Sequence, residues 1–308
     1  MSGSEWYDLQ SDINKVKTEA GVTGIDLSLV DRNISTNWID KISRSAFMQN
    51  YSVGISGGKV DDYKYNLGIS YLNQEGTIKK TEYERINLRQ SSEKTVIKNF
   101  LTVGTNISIS KSNSSGISEY NSSGLYDADY GVISNAIRVE PVIPAVKPDG
   151  SYGSSPYIDY YNPLADIMYR DRSNKNLAVI GNIYGELQII KGLKLKSSFG
   201  TEIRRSEAQS FSPVYFVSNS QKNDESSLSK TQTNGNYYTF ENTLTYIKTF
   251  AEKHSLNIVV GYTNEWGEKE VLGLSGRDFI GESPNLQYID ATLDKNKTTG
   301  TNYATDYG

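Results

Sequence analysis

The chain has 308 residues, with 32 Lys and Arg against 36 Asp and Glu, a formal net charge of −4, one histidine and no cysteine. That balance gives no support to nucleic-acid binding, and it excludes disulfide frameworks, thiolate zinc sites, cysteine nucleophiles and any centre that needs two imidazoles. No run of 18 apolar residues provides a transmembrane helix, and the opening MSGSEWYDLQ lacks the apolar stretch of a secretory signal.

The first 45 residues read as polar and weakly helical, with one stretch over 7–20 and a second short one over 37–42. Alternation then takes over. Tyr51, Val53 and Ile55 share one parity and lead through Gly57-Gly58-Lys59-Val60-Asp61 into Tyr63, Tyr65, Leu67, Ile69 and Tyr71. Ile86 and Leu88 belong to a run that turns near Ser92-Glu93-Lys94 into Leu101, Val103, Thr105, Ile107 and Ile109. Strands send successive side chains to opposite faces, so each run has one apolar and one polar face.

A long polar connection follows over 112–175, with a predicted helix at 126–138 ended by Pro141 and Pro144. Beyond it, Leu177, Val179, Ile183, Leu187 and Ile189 alternate with Asn182, Tyr184, Glu186 and Gln188. Only Lys191-Gly192 separates them from Leu193, Leu195, Phe199 and Ile203, which alternate with Lys194, Lys196 and Glu202. Tyr238, Phe240, Leu244 and Tyr246 turn at Phe250-Ala251-Glu252-Lys253 into Leu256, Ile258, Val260, Tyr262 and Trp266.

The pattern predicts an all-β chain of about eight antiparallel meander strands, each long enough to cross a membrane as a tilted β-strand. Short turns alternate with long connections at about 112–175, 207–235 and 268–308. A transmembrane barrel has that asymmetry, with short turns on one side and long loops on the other. The expected form is an open, curved sheet with the apolar parity convex and two unpaired edges. The last residues, 291–308, carry few apolar side chains and read as the disordered end of a loop. The rival reading is a soluble all-β binding or adhesion module whose apolar faces pack as a sandwich.

Candidate chemistry is sparse. Glu265, Glu268 and Glu270 cluster after a strand, but charges at a strand end are ordinarily solvated. Asp127, Asp129 and Asp159 fit no calcium-loop spacing, and His254 is a lone imidazole at a turn. No catalytic residue, metal site or cofactor is expected. Tyr51, Tyr63, Tyr71, Tyr246, Tyr262 and Trp266 fall on the apolar parity, where an interfacial aromatic girdle explains them. Tyr126, Tyr130, Tyr157, Tyr160 and Tyr161 lie in the long connection and are the candidates for facing a ligand or a partner protein.

Several segments carry a resemblance. NWIDKISRSAFMQNYSVGISGG (37–58), YNLGISYLNQEGTIKKTEYERINLR (65–89), LTVGTNISIS (101–110), AIRVEPVIPAVKPDGSYG (136–153) and YNPLADI (161–167) resemble the barrel of SusC/RagA-type TonB-dependent outer-membrane transporters. The likeness covers most of 37–290. It implies an outer-loop segment over 1–45, a partial transmembrane barrel over 46–290 without a plug domain, and a location in the cell outer membrane. It further implies lipid against the barrel exterior, a SusD-like surface lipoprotein as lid, an oligosaccharide or peptide as ligand, and the TonB complex as a partner reached only through the plug. On that reading the chain is an internal slice of a longer transporter and does not transport alone.

Overall fold

A computed structural model describes residues 1–117 and 131–307. Its main feature is a nine-stranded antiparallel sheet in the order β1-β2-β3-β4-β5-β6-β9-β10-β11, with a small hairpin β7-β8 set aside from it. The strands are β1 (Met48–Lys59), β2 (Tyr63–Glu75), β3 (Glu82–Ile97), β4 (Leu101–Ser115), β5 (Asp171–Ile190), β6 (Leu193–Ser212), β7 (Tyr215–Phe216), β8 (Lys222–Asn223), β9 (Ser227–Phe250), β10 (His254–Arg277) and β11 (Thr299–Tyr307). The pairings follow a meander, with β6 joined to β9 past the β7-β8 hairpin, and among the described residues that hairpin is the only other sheet.

The registers carry the period-2 pattern across the whole sheet. Val53 lies opposite Ile69 and Ile69 opposite Leu88. The row continues through Ile109 and Val179 to Ile203. Lower down, Leu101, Leu187, Leu195, Leu244 and Val260 make another row. All the apolar parities therefore share one face. That face is uncovered, with Val53 72%, Ile55 58%, Ile183 52%, Val260 61% and Tyr262 62% exposed. A sandwich would bury these side chains, which sets the soluble-module reading aside. The band ends over two rows. Two residues above the Val53 row stand Tyr71, Ile86, Lys111, Leu177 and Arg205, and four residues above it stand Asn73, Glu84, Asn113, Lys175 and Glu207, one on each of β2 to β6 and all polar.

The strands outrun the apolar band. β3 continues through Ser92-Glu93-Lys94, where a turn was expected, and reverses at Lys98–Phe100 instead. The loop expected at 207–235 is mostly strand, because β9 begins at Ser227, and the one expected at 268–308 shrinks to a connection over 278–298, because β10 runs to Arg277. The tail expected to be disordered contains β11, paired with β10 from Gly267↔Tyr307 to Ser275↔Thr299. The reason is common to all three. Outside the apolar band, apart from the cluster around Phe211 and Leu228, polar side chains stand on both faces, so alternation fades while backbone pairing and Thr/Tyr strand preference persist.

Short turns gather at one end of the sheet. The tightest is Lys191-Gly192, where Gly192 has φ of 88° and an added Cβ would stand 2.3 Å from the Ile247 carbonyl oxygen. At the other end the long connections fold into a cap with helices α1 (Gly3–Glu19), α2 (Trp38–Ile42), α3 (Val132–Arg138) and α4 (Pro163–Tyr169). Of the helix expected at 126–138, the described part is α3; the rest lies outside the described residues. The cap has its own core of Trp38, Ile42, Val132, Val142, Ile143, Leu164 and Ile167. A second cluster of Phe211, Leu228, Phe279 and Ala291 ties the tops of β6 and β9 to the 278–298 connection.

Candidate functional site

Two surfaces can meet a ligand: the polar face of the sheet and the cap above it. On the polar face the cross-strand registers align Asn66 with Ser91, Ser91 with Asn106, and Asn106 with Asn182. Ser91 Oγ donates to Asn106 Oδ1 at 2.8 Å, and Asn106 Nδ2 donates to Asn182 Oδ1 at 3.0 Å, so the amides form a ladder across β3, β4 and β5. A hollow of about 620 Å³ opens over this ladder and also reaches Arg89, Glu202, Tyr237 and Thr239. Hollows of about 700 and 510 Å³ extend it toward the β1–β3 turns and toward β10 and β11. The polar face is thus the concave one, and the apolar face the convex one.

Ion pairs on the concave face lie near the short-turn end. Lys64 pairs with Glu93 at 2.9 Å, Tyr184 donates to Glu93 at 2.7 Å, and Lys194 pairs with Glu186 at 2.7 Å. Lys196 stands over the Tyr184 ring at 4.3 Å. Further up, Arg204 pairs with Glu202, and Tyr237 donates to Glu265. The carboxylates considered for acid–base work are divided by strand alternation. Glu265 faces the concave side, whereas Glu268 and Glu270 face the other and accept hydrogen bonds from Asn236 at 2.7 Å and Asn302 at 3.3 Å. His254 opens β10 at a turn and is exposed.

The cap is knitted by side-chain-to-backbone bonds. Trp38 Nε1 donates to the Glu140 carbonyl at 3.1 Å, and Thr36 Oγ1 donates to the Ile143 carbonyl at 2.7 Å. Asn162 is buried and caps α4, accepting from the Leu164 and Ala165 amides, while its Nδ2 donates to the Ala145 and Gly153 carbonyls. Gln221, from the connection between β8 and β7, closes a reciprocal pair: its Oε1 accepts from Asn162 N at 2.8 Å and its Nε2 donates to Asn162 O at 3.0 Å. This explains the YNPLADI segment. Asn before Pro at the first helical turn is an N-cap signature that the sequence carries, and Arg170 closes the helix on the buried Asp166 at 2.8 Å. Lys80 joins the β2–β3 connection to the start of β5 through Asp171 at 2.7 Å.

One buried carboxyl stands apart. Glu140 is 7% exposed; its Oε1 accepts from Ser155 Oγ at 2.9 Å, and its Oε2 has no partner. Burial pushes its pKa above the usual carboxylate value, with the Ser155 bond opposing that shift only in part.

Of the candidate tyrosines, Tyr126 and Tyr130 lie outside the described residues. The Tyr157 ring stacks on Trp6 with centroids 6.1 Å apart, and its hydroxyl donates to the Asp26 carbonyl at 2.7 Å. Tyr160 packs on the cap core under the Arg138 guanidinium, 5.6 Å from its ring. Tyr161 is half-buried next to Asn162. Tyr157 and Tyr160 are therefore joined to the cap's own structure.

No family model matches the chain. In sequence it is similar to TonB-dependent receptor P3 of Formosa agariphila, 27% identical over 80% of this chain and 24% of that receptor. TonB-dependent receptor P39 of the same organism is 26% identical over 81% of this chain and 22% of the relative. The chain thus spans about a quarter of the length of the curated relatives it matches. In fold it is similar to the RagAB peptide transporter, with a TM-score of 0.72 and 20% identity over 90% of this chain and 30% of that one. The RagAB peptide importer in its open-open state gives a TM-score of 0.74 and 21% identity over 97% of this chain and 32% of that one. The chain is thus similar in sequence to TonB-dependent receptors and shares the fold of the RagAB barrel over about a third of that chain, in keeping with the meander, its uncovered apolar face and its unequal ends.

Proposed function

We propose that this chain forms part of the wall of an outer-membrane nutrient transporter. Its convex face meets lipid, its concave face lines the lumen, and its cap stands on the outer side. The observation that carries this reading is the uncovered apolar parity running in register across the strands and ending at the polar row of Asn73, Glu84, Asn113, Lys175 and Glu207. Such a band requires an apolar solvent on one side only, which is the condition of a barrel wall in a bilayer. The ligand is an oligosaccharide or a peptide, enclosed between the barrel and a SusD-like surface lipoprotein that closes over the cap. TonB supplies the pull through a plug domain that this segment does not contribute. Within that scheme Tyr126, Tyr130, Tyr157, Tyr160 and Tyr161 belong to the loop that meets ligand or lid, Tyr157 and Tyr160 by holding its shape.

Photolabelling from the lipid phase tests the reading. With the receptor in vesicles that carry a lipid-soluble diazirine, and the labelled side chains located by fragmentation of the peptides, label is expected on Val53, Ile183 and Ile258. Label spread equally to Asn106 and Asn182 would refute the lipid-facing assignment.

A further inference from the structure

The concave face of β1–β4 has an unusual charge balance. Read by parity, its side chains on β1, β2 and β4 are Ser, Asn, Gly, Thr, Gln and a few others, with Lys64 as the one charge. On β3 the same face carries Arg85, Asn87, Arg89, Ser91 and Glu93. Glu93 is thus the single carboxylate on this face of the four strands, and it is occupied by Lys64 and Tyr184. Among the described residues neither Arg85 nor Arg89 makes a side-chain ion pair or hydrogen bond, and Nε of Arg85 is buried with no partner there. Arg89 reaches the 620 Å³ hollow over the amide ladder.

The surroundings suit an anion. Ser112 lies across from Arg85, Ser110 across from Asn87 and Ser108 across from Arg89, so a row of hydroxyls runs beside the two guanidiniums. On the other flank Gly68 lies opposite Arg89 and leaves room above it. A guanidinium presents a planar fork of donors that matches a carboxylate in bidentate geometry. Two guanidiniums without a counter-charge, on a chain whose net charge is −4, form a local positive strip in an otherwise neutral carpet.

We propose that Arg85 and Arg89 form a carboxylate-recognition strip in the lumen wall, and that its ligand is an extended acidic peptide. This rests on the nutrient-transporter reading above and names the ligand class. The spacing favours a peptide: residues four apart on a strand are about 14 Å apart on one face. An extended peptide lying along β3 repeats that spacing, so carboxylates at its positions i and i+4 meet both guanidiniums. Its backbone amides then lie within reach of the Ser108–Ser112 hydroxyls and the Asn106 and Asn182 amides.

The test uses the intact receptor that carries this segment, in detergent, at low salt. Two fluorescein-labelled nonapeptides are compared by anisotropy, one with Asp at positions 3 and 7 and one with Asn there. The Asp peptide is expected to bind at least tenfold more tightly. Arg89→Gln and Arg85→Gln should each shrink that preference, and the double variant should reduce it below twofold, with folding of each checked by heat-modifiable mobility. A preference absent from the wild type, or surviving in the double variant, overturns the proposal. A uronate-bearing oligosaccharide that outcompetes the Asp peptide overturns the peptide assignment. A second readout separates the strip from the transporter reading: phenylglyoxal modification of Arg85 and Arg89, read by mass spectrometry, with glutarate or glutaramide as protectant. Protection by glutarate alone supports the strip even if neither nonapeptide binds, an outcome that overturns the peptide as ligand. Resistance of both arginines with no additive present would assign the strip to a carboxylate of the receptor itself, and overturn the proposal.

Discussion

Replacing Ile183 by Arg is the sharpest perturbation of the barrel-wall reading. Along β5 the apolar parity runs from Leu177 to Ile189, so Ile183 stands at its centre, paired with Thr105 on one side and Phe199 on the other. A guanidinium on the lipid face at the bilayer midplane costs about 2–4 kcal/mol, falling to about 0–1 kcal/mol near the interfaces. That corresponds to ~30- to ~700-fold in the folding equilibrium. Val179 lies four residues away, about 14 Å along a strand and about 10 Å in height at a tilt of about 40°. The apolar band of such barrels is about 25 Å tall, so Val179→Arg and, by the same offset from Phe199, Leu195→Arg should cost about 1 kcal/mol. Asn182 is next to Ile183 at the same depth but faces the hollow; Asn182→Arg loses one hydrogen bond from Asn106, worth about 1 kcal/mol. The assay is urea unfolding of the receptor in lipid vesicles, with the folded fraction read from gel mobility before and after heating. Equal losses at 182 and 183, or a Val179 variant as costly as the Ile183 variant, would refute both the face and the depth.

The remaining predictions concern the cap and one turn. Glu140→Gln should stabilise the cap at neutral pH and flatten its pH dependence. The folded pKa of Glu140 is raised, so its contribution is fully present below the unfolded carboxyl value and is lost as pH rises through the folded value; hydrogen exchange of amides 140–158 between pH 4 and 7 reads this, and an unchanged profile in the variant would count against it. Gln221→Ala leaves the buried Asn162 backbone N–H without its acceptor and should cost about 1–3 kcal/mol locally, seen as faster proteolysis across 145–165; adding Asn162→Ala, which removes the separate side-chain bonds to the α4 cap and to the Ala145 and Gly153 carbonyls, should add a further loss, and no added loss would count against those bonds. Deleting 120–165 removes Val132, Val142, Ile143 and Leu164 from the cap core and should abolish nutrient-dependent growth while the barrel still shows heat-modifiable mobility; normal growth would show that this loop neither holds ligand nor docks a lid. Ala251 and Glu252 both have positive φ at the β9–β10 turn, so Ala251→Asn with Glu252→Gly should stabilise by about 1 kcal/mol, checked by the urea midpoint.

The cap shows why the candidate site was only partly legible. Tyrosines in a long polar connection read equally well as a ligand platform or as packing, because composition does not say what a ring faces. The structure puts Trp6 from the start of the chain against Tyr157, 151 positions later, and Gln221 against Asn162. Such contacts depend on which loops share an end of the sheet, a property of the assembled meander. The unpaired state of Arg85 and Arg89 is of the same kind: alternation predicts their face, but only the cross-strand registers show that no carboxylate stands beside them.

What the sequence determined by itself was everything governed by local periodicity and solvent. Alternation from Tyr51 to Trp266 specifies strands, their apolar side and their short turns, because the side-chain period of two is a property of the backbone. Tertiary structure decided where those strands end. In β9 from Ser229 to Asn236, and throughout β11, the side chains of the two faces lose their contrast. There the strands are held by ladder hydrogen bonds to a neighbour, and a neighbour exists only once the sheet has formed.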